Sequence, residues 1–293
     1  MRMRRRGLAA AGGVAALAAA LLAGRDARAD DPLPLAITLG DSVMRDYPEY
    51  PWYNFEPIHG WGQDLPKYFR PDLIQFRNDA WGGESTTSVL ANGRWQHVID
   101  SHPRFILISF AISDAQVDPN YAADPNTLYR QNLHRMTVEA RAIGAEPIFV
   151  TAAPLRYVYY DGIHVWRPNG LEPWVNAMIA QGAQDGVGVA DLQYWLLDEY
   201  DFLTISVAQQ LYGMIIPDGI IPNLPPNTPD IIHFSPYGAD QAARHVVSQL
   251  PGVSPDLAAF LRSSFIPVLP PWTGPALVLL LGLALAAGIR APR

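Results

Sequence analysis

Short apolar runs alternate along the chain with longer stretches of helical period. Residues 35–39, 73–76, 105–110, 147–151 and 187–190 read as strands. The third, Phe-Ile-Leu-Ile-Ser-Phe, is almost continuously apolar, as a strand covered on both faces should be. Helical periodicity fills 127–143, closed by Gly144, and 172–184. Ser235-Pro236 supplies an N-cap and a proline for the first helical position. Ala239, Ala242, Ala243, Val246, Val247 and Leu250 then trace one apolar face. This alternation predicts a single three-layer α/β/α domain with a five-stranded, mostly parallel sheet. The first strand is expected at its centre, with the last helix packed beside it. Ligands of such sheets bind at the carboxyl ends of the strands.

The segment 201–229 breaks the pattern. Its later half carries Ile215-Ile216-Pro217, Ile220-Ile221-Pro222 and Leu224-Pro225-Pro226, too much proline for regular structure. It reads equally as a surface excursion or as a wall of the substrate cleft.

Both ends lie outside the fold pattern. Arg2, Arg4, Arg5 and Arg6 precede an Ala/Leu/Gly run and then Ala27-Arg28-Ala29. A basic head, apolar middle and A-x-A site predict a signal peptide over 1–29. Arg5-Arg6 leaves the general secretory and twin-arginine routes both open. At the other end, 275–289 is apolar without a charge, and Arg290 and Arg293 follow. A run of this kind reads as a membrane tail, 266–293, rather than as a buried terminal helix, which would show a polar face. The domain is then 30–265, long enough for one well-cored α/β unit.

Charge narrows the partners. The chain has 21 basic and 28 acidic residues. Setting aside six Arg and one Asp in 1–29, and two Arg in 266–293, leaves 13 against 27, a formal charge of −14. So acidic a body argues against nucleic acid and anionic membrane surfaces. The chain has no cysteine, which removes disulfides, thiolate metal sites and a cysteine nucleophile. None of the seven histidines sits at metal-ligand spacing, so no metal and no cofactor is expected.

Two short motifs carry the candidate chemistry. Gly40-Asp41-Ser42 ends the first strand, and Asp230-Ile231-Ile232-His233 precedes the last globular helix. Ser42 would attack an acyl carbon, His233 would take its proton and Asp230 would orient the imidazole. The oxyanion needs donors as well. Gly82-Gly83 after the second strand would let backbone N–H groups approach, and Ser113-Asp114 after the third could add a side-chain donor. Trp81 is a candidate cleft residue. Tyr157, Tyr159, Tyr160 and Trp166 read first as packing and second as sugar-stacking residues. Asp41 and Asp114 are further candidate substrate contacts.

Four separated segments then resemble the SGNH (GDSL-type) hydrolases, and most of all their rhamnogalacturonan acetylesterase branch. Leu39-Gly40-Asp41-Ser42 is similar to the nucleophile block. Gly60-Trp61-Gly62-Gln63-Asp64-Leu65-Pro66 is similar to a Gly-Trp-Gly segment of that branch, and residues 78–88 to an Asn-x-Ala-x-x-Gly-x-Ser block. Residues 230–239 resemble the terminal Asp-x-x-His block, and Thr151-Ala152-Ala153-Pro154-Leu155-Arg156 more loosely a Thr-Pro-x-x-Arg stretch. The resemblance implies a flavodoxin-like sheet, an acyl-serine mechanism and an oxyanion hole formed by Ser42, Gly83 and Ser113. At Ala111-Ile112-Ser113-Asp114 the chain departs from the family's Gly-x-Asn-Asp: a serine stands where an asparagine amide would donate. The tail from Ile266 resembles the IPTL-CTERM class of sorting tails, with Val268 in place of Thr. It implies export machinery and a sorting protease as partners, and an exported protein, periplasmic or at the cell surface, tethered at a membrane.

The reading that follows is a secreted serine esterase that deacetylates a carbohydrate. Its alternatives are a lipid or short-chain acyl hydrolase, and a glycan-binding protein that kept the scaffold while its oxyanion hole decayed.

Overall fold

A computed structural model of the chain describes residues 32–47, 58–155, 159–160, 165–166, 170–202, 214–216, 228–230 and 232–263. The expected signal peptide, the expected tail, Arg156, Tyr157 and most of 201–229 lie outside the described residues. The described residues from Pro34 onward form one compact unit.

In chain order its elements are β1 (Leu35–Gly40), α1 (Trp61–Asp64), a 3-10 turn (Leu65–Tyr68), β2 (Gln75–Asn78), α2 (Thr86–Ala91), α3 (Arg94–Asp100) and β3 (Phe105–Ser109). There follow α4 (Leu128–Ala142), β4 (Glu146–Val150), β5 (Tyr159–Tyr160), β6 (Val165–Trp166), α5 (Glu172–Asp185), β7 (Gly188–Ala190) and α6 (Gln193–Phe202). β8 (Met214–Ile216), β9 (Thr228–Asp230), α7 (Pro236–Val253) and α8 (Pro255–Ala258) complete the set.

The main sheet has the order β2-β1-β3-β4-β7, and every pair in it is parallel. Alternation along each strand divides the core. Ala36, Phe105, Leu107, Ile148 and Val150 face one layer, with Trp61, Tyr68 and the apolar stripe of α7. Ile37, Leu39, Ile106, Ile108 and Phe149 face the other, with α2, α3, α4 and α5. The predicted three-layer architecture therefore stands. Ser235 caps α7 as its sequence suggests, accepting from the Gly238 N–H at 3.0 Å.

Three expectations change. β1 is interior, but the central strand is β3, because the crossover from β2 carries the chain back across β1. β2 starts at Gln75, not Leu73: the Leu73 and Ile74 N–H groups turn back to the Arg70 carbonyl, and the ladder opens with the Gln75 N–H on Pro34. The proline-rich segment does hold regular structure, since β8 and β9 pair antiparallel with Ile215 opposite Pro229. A two-stranded ribbon tolerates a proline because each strand keeps one edge unpaired.

The order 2-1-3 puts a switch point between β1 and β3, where connections leave in opposite directions and a crevice opens at the carboxyl ends. Gly40-Asp41-Ser42 and Ala111-Ile112-Ser113-Asp114 follow those two ends.

Candidate active site

Four sequence-distant segments are knitted together at the carboxyl end of β1. The Trp61 N–H reaches the Val43 carbonyl at 3.0 Å, and the His59 N–H reaches the Phe234 carbonyl at 3.2 Å. The 59–61 segment thus ties the serine turn to the residue after His233. Gly60 and Gly62 are required by this contact. A Cβ on Gly60 would collide with the Arg45 carbonyl oxygen, and one on Gly62 with that of Met44. Trp61 between them is fully buried in the core and anchors the clasp.

Asn78, at the end of β2, joins the remaining pieces. Its Oδ1 accepts from Thr38 Oγ1 at 2.8 Å and from the Ala80 N–H at 3.2 Å; its Nδ2 donates to the Met44 carbonyl at 2.8 Å. The Trp81 N–H then bonds the Gly40 carbonyl at 3.0 Å, which brings 80–83 alongside the serine. A Cβ built on Gly82 would stand 3.9 Å from Ser42 Cβ. Gly83 adopts φ +78°, a left-handed conformation that favours glycine.

In this frame Ser42 Oγ and His233 Nε2 are 2.9 Å apart. That is hydrogen-bond reach between a nucleophile and its base. Tyr47 stands over the pair: its hydroxyl donates to the Ser42 carbonyl at 2.8 Å, and its ring meets the His233 ring edge-on at 6.0 Å. Asp230 closes β9 three residues before His233, and its side chain lies outside the described residues. Among the described residues, the main-chain N–H groups of Ser42 and Gly83 and the hydroxyl of Ser113 donate to no protein group. Ser113 itself is buried.

Asp41 and Asp114, the further candidate substrate contacts, lie close to the serine turn. Both are buried in the scaffold beneath the serine rather than set on a cleft wall. Asp41 accepts from the Val43 N–H at 3.0 Å and from the Ile112 N–H, which joins the loops after β1 and β3. Burial pushes its pKa up to about 6, against the pull of these two donors and of the nearby His233. Each such bond contributes only about 1.5–3 kcal/mol, and here they do not outweigh the loss of hydration. Asp114 accepts from the N–H and hydroxyl of Thr86 at the start of α2, where the helix leaves donors open. Burial pushes it to about 7; the Thr86 bonds oppose the rise and the Asp41 charge adds to it. Motif spacing shows neither burial nor these backbone partners.

A cleft of about 690 Å³ opens beside the serine turn, lined by residues that include Arg45, Asp46, Asp79, Trp81, Arg94 and His97. Trp81 is 48 % exposed, which agrees with a cleft position. Arg45 lies over its ring at 5.1 Å and Arg94 at 4.2 Å. Glu84 holds the loop: it accepts from the Ser88 hydroxyl and from Asn92 Nδ2 at 2.7 Å, and pairs with Arg94 at 3.2 Å. Arg45, Tyr47 and Arg94 are absent from the sequence-level candidates. Arg45-x-Tyr47, beginning three residues after the serine, was the available signal; Arg94 had none. His134, away from the site, pairs with Asp185 at 2.9 Å. No cluster of metal-ligating side chains occurs among the described residues. No helix among them is long and apolar enough to cross a membrane.

Known proteins resemble this chain in sequence and in fold. Residues 38–241 match the GDSL-like Lipase/Acylhydrolase family. A rhamnogalacturonan acetylesterase of Bacillus subtilis is 30% identical over 73% of this chain and 88% of its own length. A probable rhamnogalacturonan acetylesterase of the same organism is 29% identical over 64% and 81%. Among solved structures, a Bacillus subtilis protein superposes with TM-score 0.59 at 22% identity, over 76% of this chain; the chain spans 58% of that protein. An acetylxylan esterase from Geobacillus stearothermophilus superposes with TM-score 0.53 at 15% identity, over 78% of this chain and 97% of that one. The chain belongs to the GDSL-like lipase/acylhydrolase family and is a carboxylic ester hydrolase.

Proposed function

We propose that the protein is an exported serine esterase that removes acetyl groups from a carbohydrate. The observation that carries the mechanism is the 2.9 Å contact between Ser42 Oγ and His233 Nε2 at the carboxyl end of β1. As substrate binds, His233 Nε2 takes the Ser42 proton while Oγ adds to the acetyl carbonyl carbon. The tetrahedral oxyanion is met by the N–H groups of Ser42 and Gly83 and by the Ser113 hydroxyl, donors without a protein acceptor among the described residues. As the bond from the acyl carbon to the sugar oxygen breaks, the imidazolium protonates that oxygen, which leaves as a hydroxyl and acetyl-Ser42 remains. Water activated by His233 attacks this ester, releases acetate and restores the serine. Asp230, three residues ahead in the sequence, is the group offered to hold His233 in the tautomer that keeps Nε2 free to accept.

A serine hydroxyl at 113 reaches less far than the asparagine amide of the family pattern. A mispositioned oxyanion donor costs on the order of 10²–10³ in rate, so this site is the expected limit on turnover. The acetyl group and the sugar are supported by the names of the relatives at about 30% identity. Export and tethering rest on the sequence of residues 1–29 and 266–293, and a mature chain that begins at Asp30 would meet that expectation.

The test compares wild type with Ser42→Ala and His233→Ala on p-nitrophenyl acetate and on acetylated polysaccharide. Loss of kcat by about 10⁴ or more in both variants is expected. Turnover retained in Ser42→Ala, or no turnover in any of the proteins, would overturn the reading.

A further inference from the structure

The last described residues lie at the pole of the sheet opposite the site. Ser42 and Ser113 follow the carboxyl ends of β1 and β3. α7 starts on that side, capped by Ser235 two residues after His233, and runs to the amino end of the sheet. There a Cβ on Gly188, which opens β7, would collide with the Val253 carbonyl oxygen at the end of α7. α8 follows at the same pole. Asp256 pairs with Arg104 at 3.6 Å, and the Phe260 ring meets that of Phe105, the first residue of β3, at 6.0 Å.

The point of exit is pinned. The Phe260 carbonyl accepts from the Arg70 N–H at 3.0 Å, and the Arg262 N–H donates to the Tyr68 carbonyl at 3.0 Å. Arg262 Nε donates to the Phe69 carbonyl at 2.9 Å, and Leu261 is buried opposite Phe69. Arg70, Arg104 and Arg262 therefore gather around the exit, where Asp72 and Asp256 pair with the first two. Three arginines against two carboxylates make a locally cationic patch on a body of formal charge −14.

Chain length decides what this pole can face. Eleven residues, 264–274, three of them proline, separate the last described residue from the uncharged run 275–289. Fully extended, they reach at most about 40 Å. A compact domain of this length is about 45 Å across. A spacer that starts at the amino pole cannot bring the carboxyl pole down onto a bilayer in which the run is anchored. An anionic bilayer repels an acidic body and attracts it only through a patch of local positive charge.

We propose that the amino pole of the sheet is a membrane-facing surface, and that the catalytic cleft opens away from the bilayer that holds the chain. The ester substrate then arrives from the surrounding medium, not from the lipids of that bilayer. The proposal rests on the tethered-esterase reading and adds to it the orientation of the site.

The wild-type chain has no cysteine, so each introduced cysteine reports a single position. The full chain carries a fluorophore at Asp72→Cys, Asp256→Cys, Val117→Cys or Tyr237→Cys. It is reconstituted into phosphatidylcholine–phosphatidylglycerol vesicles with a nitroxide on the headgroups. Asp72 and Asp256 are exposed at the amino pole; Val117 and Tyr237 are exposed on the loop after β3 and the first turn of α7. Nitroxide quenches only at close approach. Dyes at 72 and 256 should lose about half of their emission, and dyes a domain's width away at 117 and 237 less than about a tenth. The tethered chain should also hydrolyse soluble acetylated xylan within about twofold of its rate in detergent, and leave a short-chain acyl lipid in the same vesicles intact. Equal quenching at the two poles, stronger quenching at 117 and 237, or preferential hydrolysis of the vesicle lipid overturns the proposal. Flotation with the vesicles and Ser42-dependent turnover of p-nitrophenyl acetate keep the claims apart. A chain that turns over the ester but does not float loses tether and orientation together, while the esterase reading stands. A chain that floats with reversed quenching loses the orientation alone.

Discussion

The floor of the site and its rim are built from different materials. At the floor, Ser42 is positioned by backbone bonds and buried carboxylates: Trp61 on Val43, Asn78 on Met44, Asp41 on Val43 and Ile112, Asp114 on Thr86. At the rim, Arg45, Tyr47, Trp81 and Arg94 meet one another through ring and guanidinium faces, with Trp81 half exposed. Backbone bonds in a dry environment have few alternatives, so the floor fixes a reaction. Exposed side-chain contacts are replaced at little cost to the fold, so the rim sets what is accepted.

The sharpest way to break the contrast is at the floor. Gly60→Ala drives a Cβ into the Arg45 carbonyl. Because the obstacle is backbone, the serine turn must move. We expect a stability loss of about 3 kcal/mol, read from urea unfolding. Activity should fall about 10²-fold, as a displacement near 1 Å would cause. A variant with wild-type rate would show that the clasp does not position Ser42.

Asp114→Asn is expected to act more mildly and with a distinctive pH signature. Folded Asp114 titrates at about 7 against an ordinary 3.8, so the native state holds this proton more tightly than the unfolded chain does. Its contribution to stability is therefore most favourable below pH 4 and declines as pH rises to about 7. Asparagine keeps the acceptor for Thr86 without the buried charge. Calorimetry should show the variant more stable than wild type at pH 8, by on the order of 2–4 kcal/mol, with the gap closing toward pH 4. A gap independent of pH would mean that the carboxylate is not the cause. At the small end stands Arg45→Gln, which loses only ring contacts at the rim and should barely move the urea midpoint.

The sequence exposed the floor's chemistry more readily than its construction. Ser42 and His233 were legible because each sits in a short block at a strand end or helix start, and the paired blocks need no knowledge of distance. The sheet was legible through short apolar runs, 35–39 and 105–110 among them, that alternate with helical stretches. The burial and backbone partners of Asp41 and Asp114 were not legible, because they are properties of the assembled fold. α1, α2 and α3 are too short to show a period. The rim was hidden for another reason: Arg45 and Trp81 meet only after β1 and β2 pair, and an isolated arginine in sequence carries no signal of what stacks on it.

Because the account depends on Ser42 as the attacking group, the most direct test is to trap the acyl-enzyme. Wild type is mixed with p-nitrophenyl acetate, whose good leaving group makes acylation fast, quenched in acid during the first turnovers and digested for mass spectrometry. The account predicts one acetyl group per chain, located on Ser42 and absent from Ser42→Ala. An acetyl group on another residue, or undiminished hydrolysis in Ser42→Ala, would contradict it.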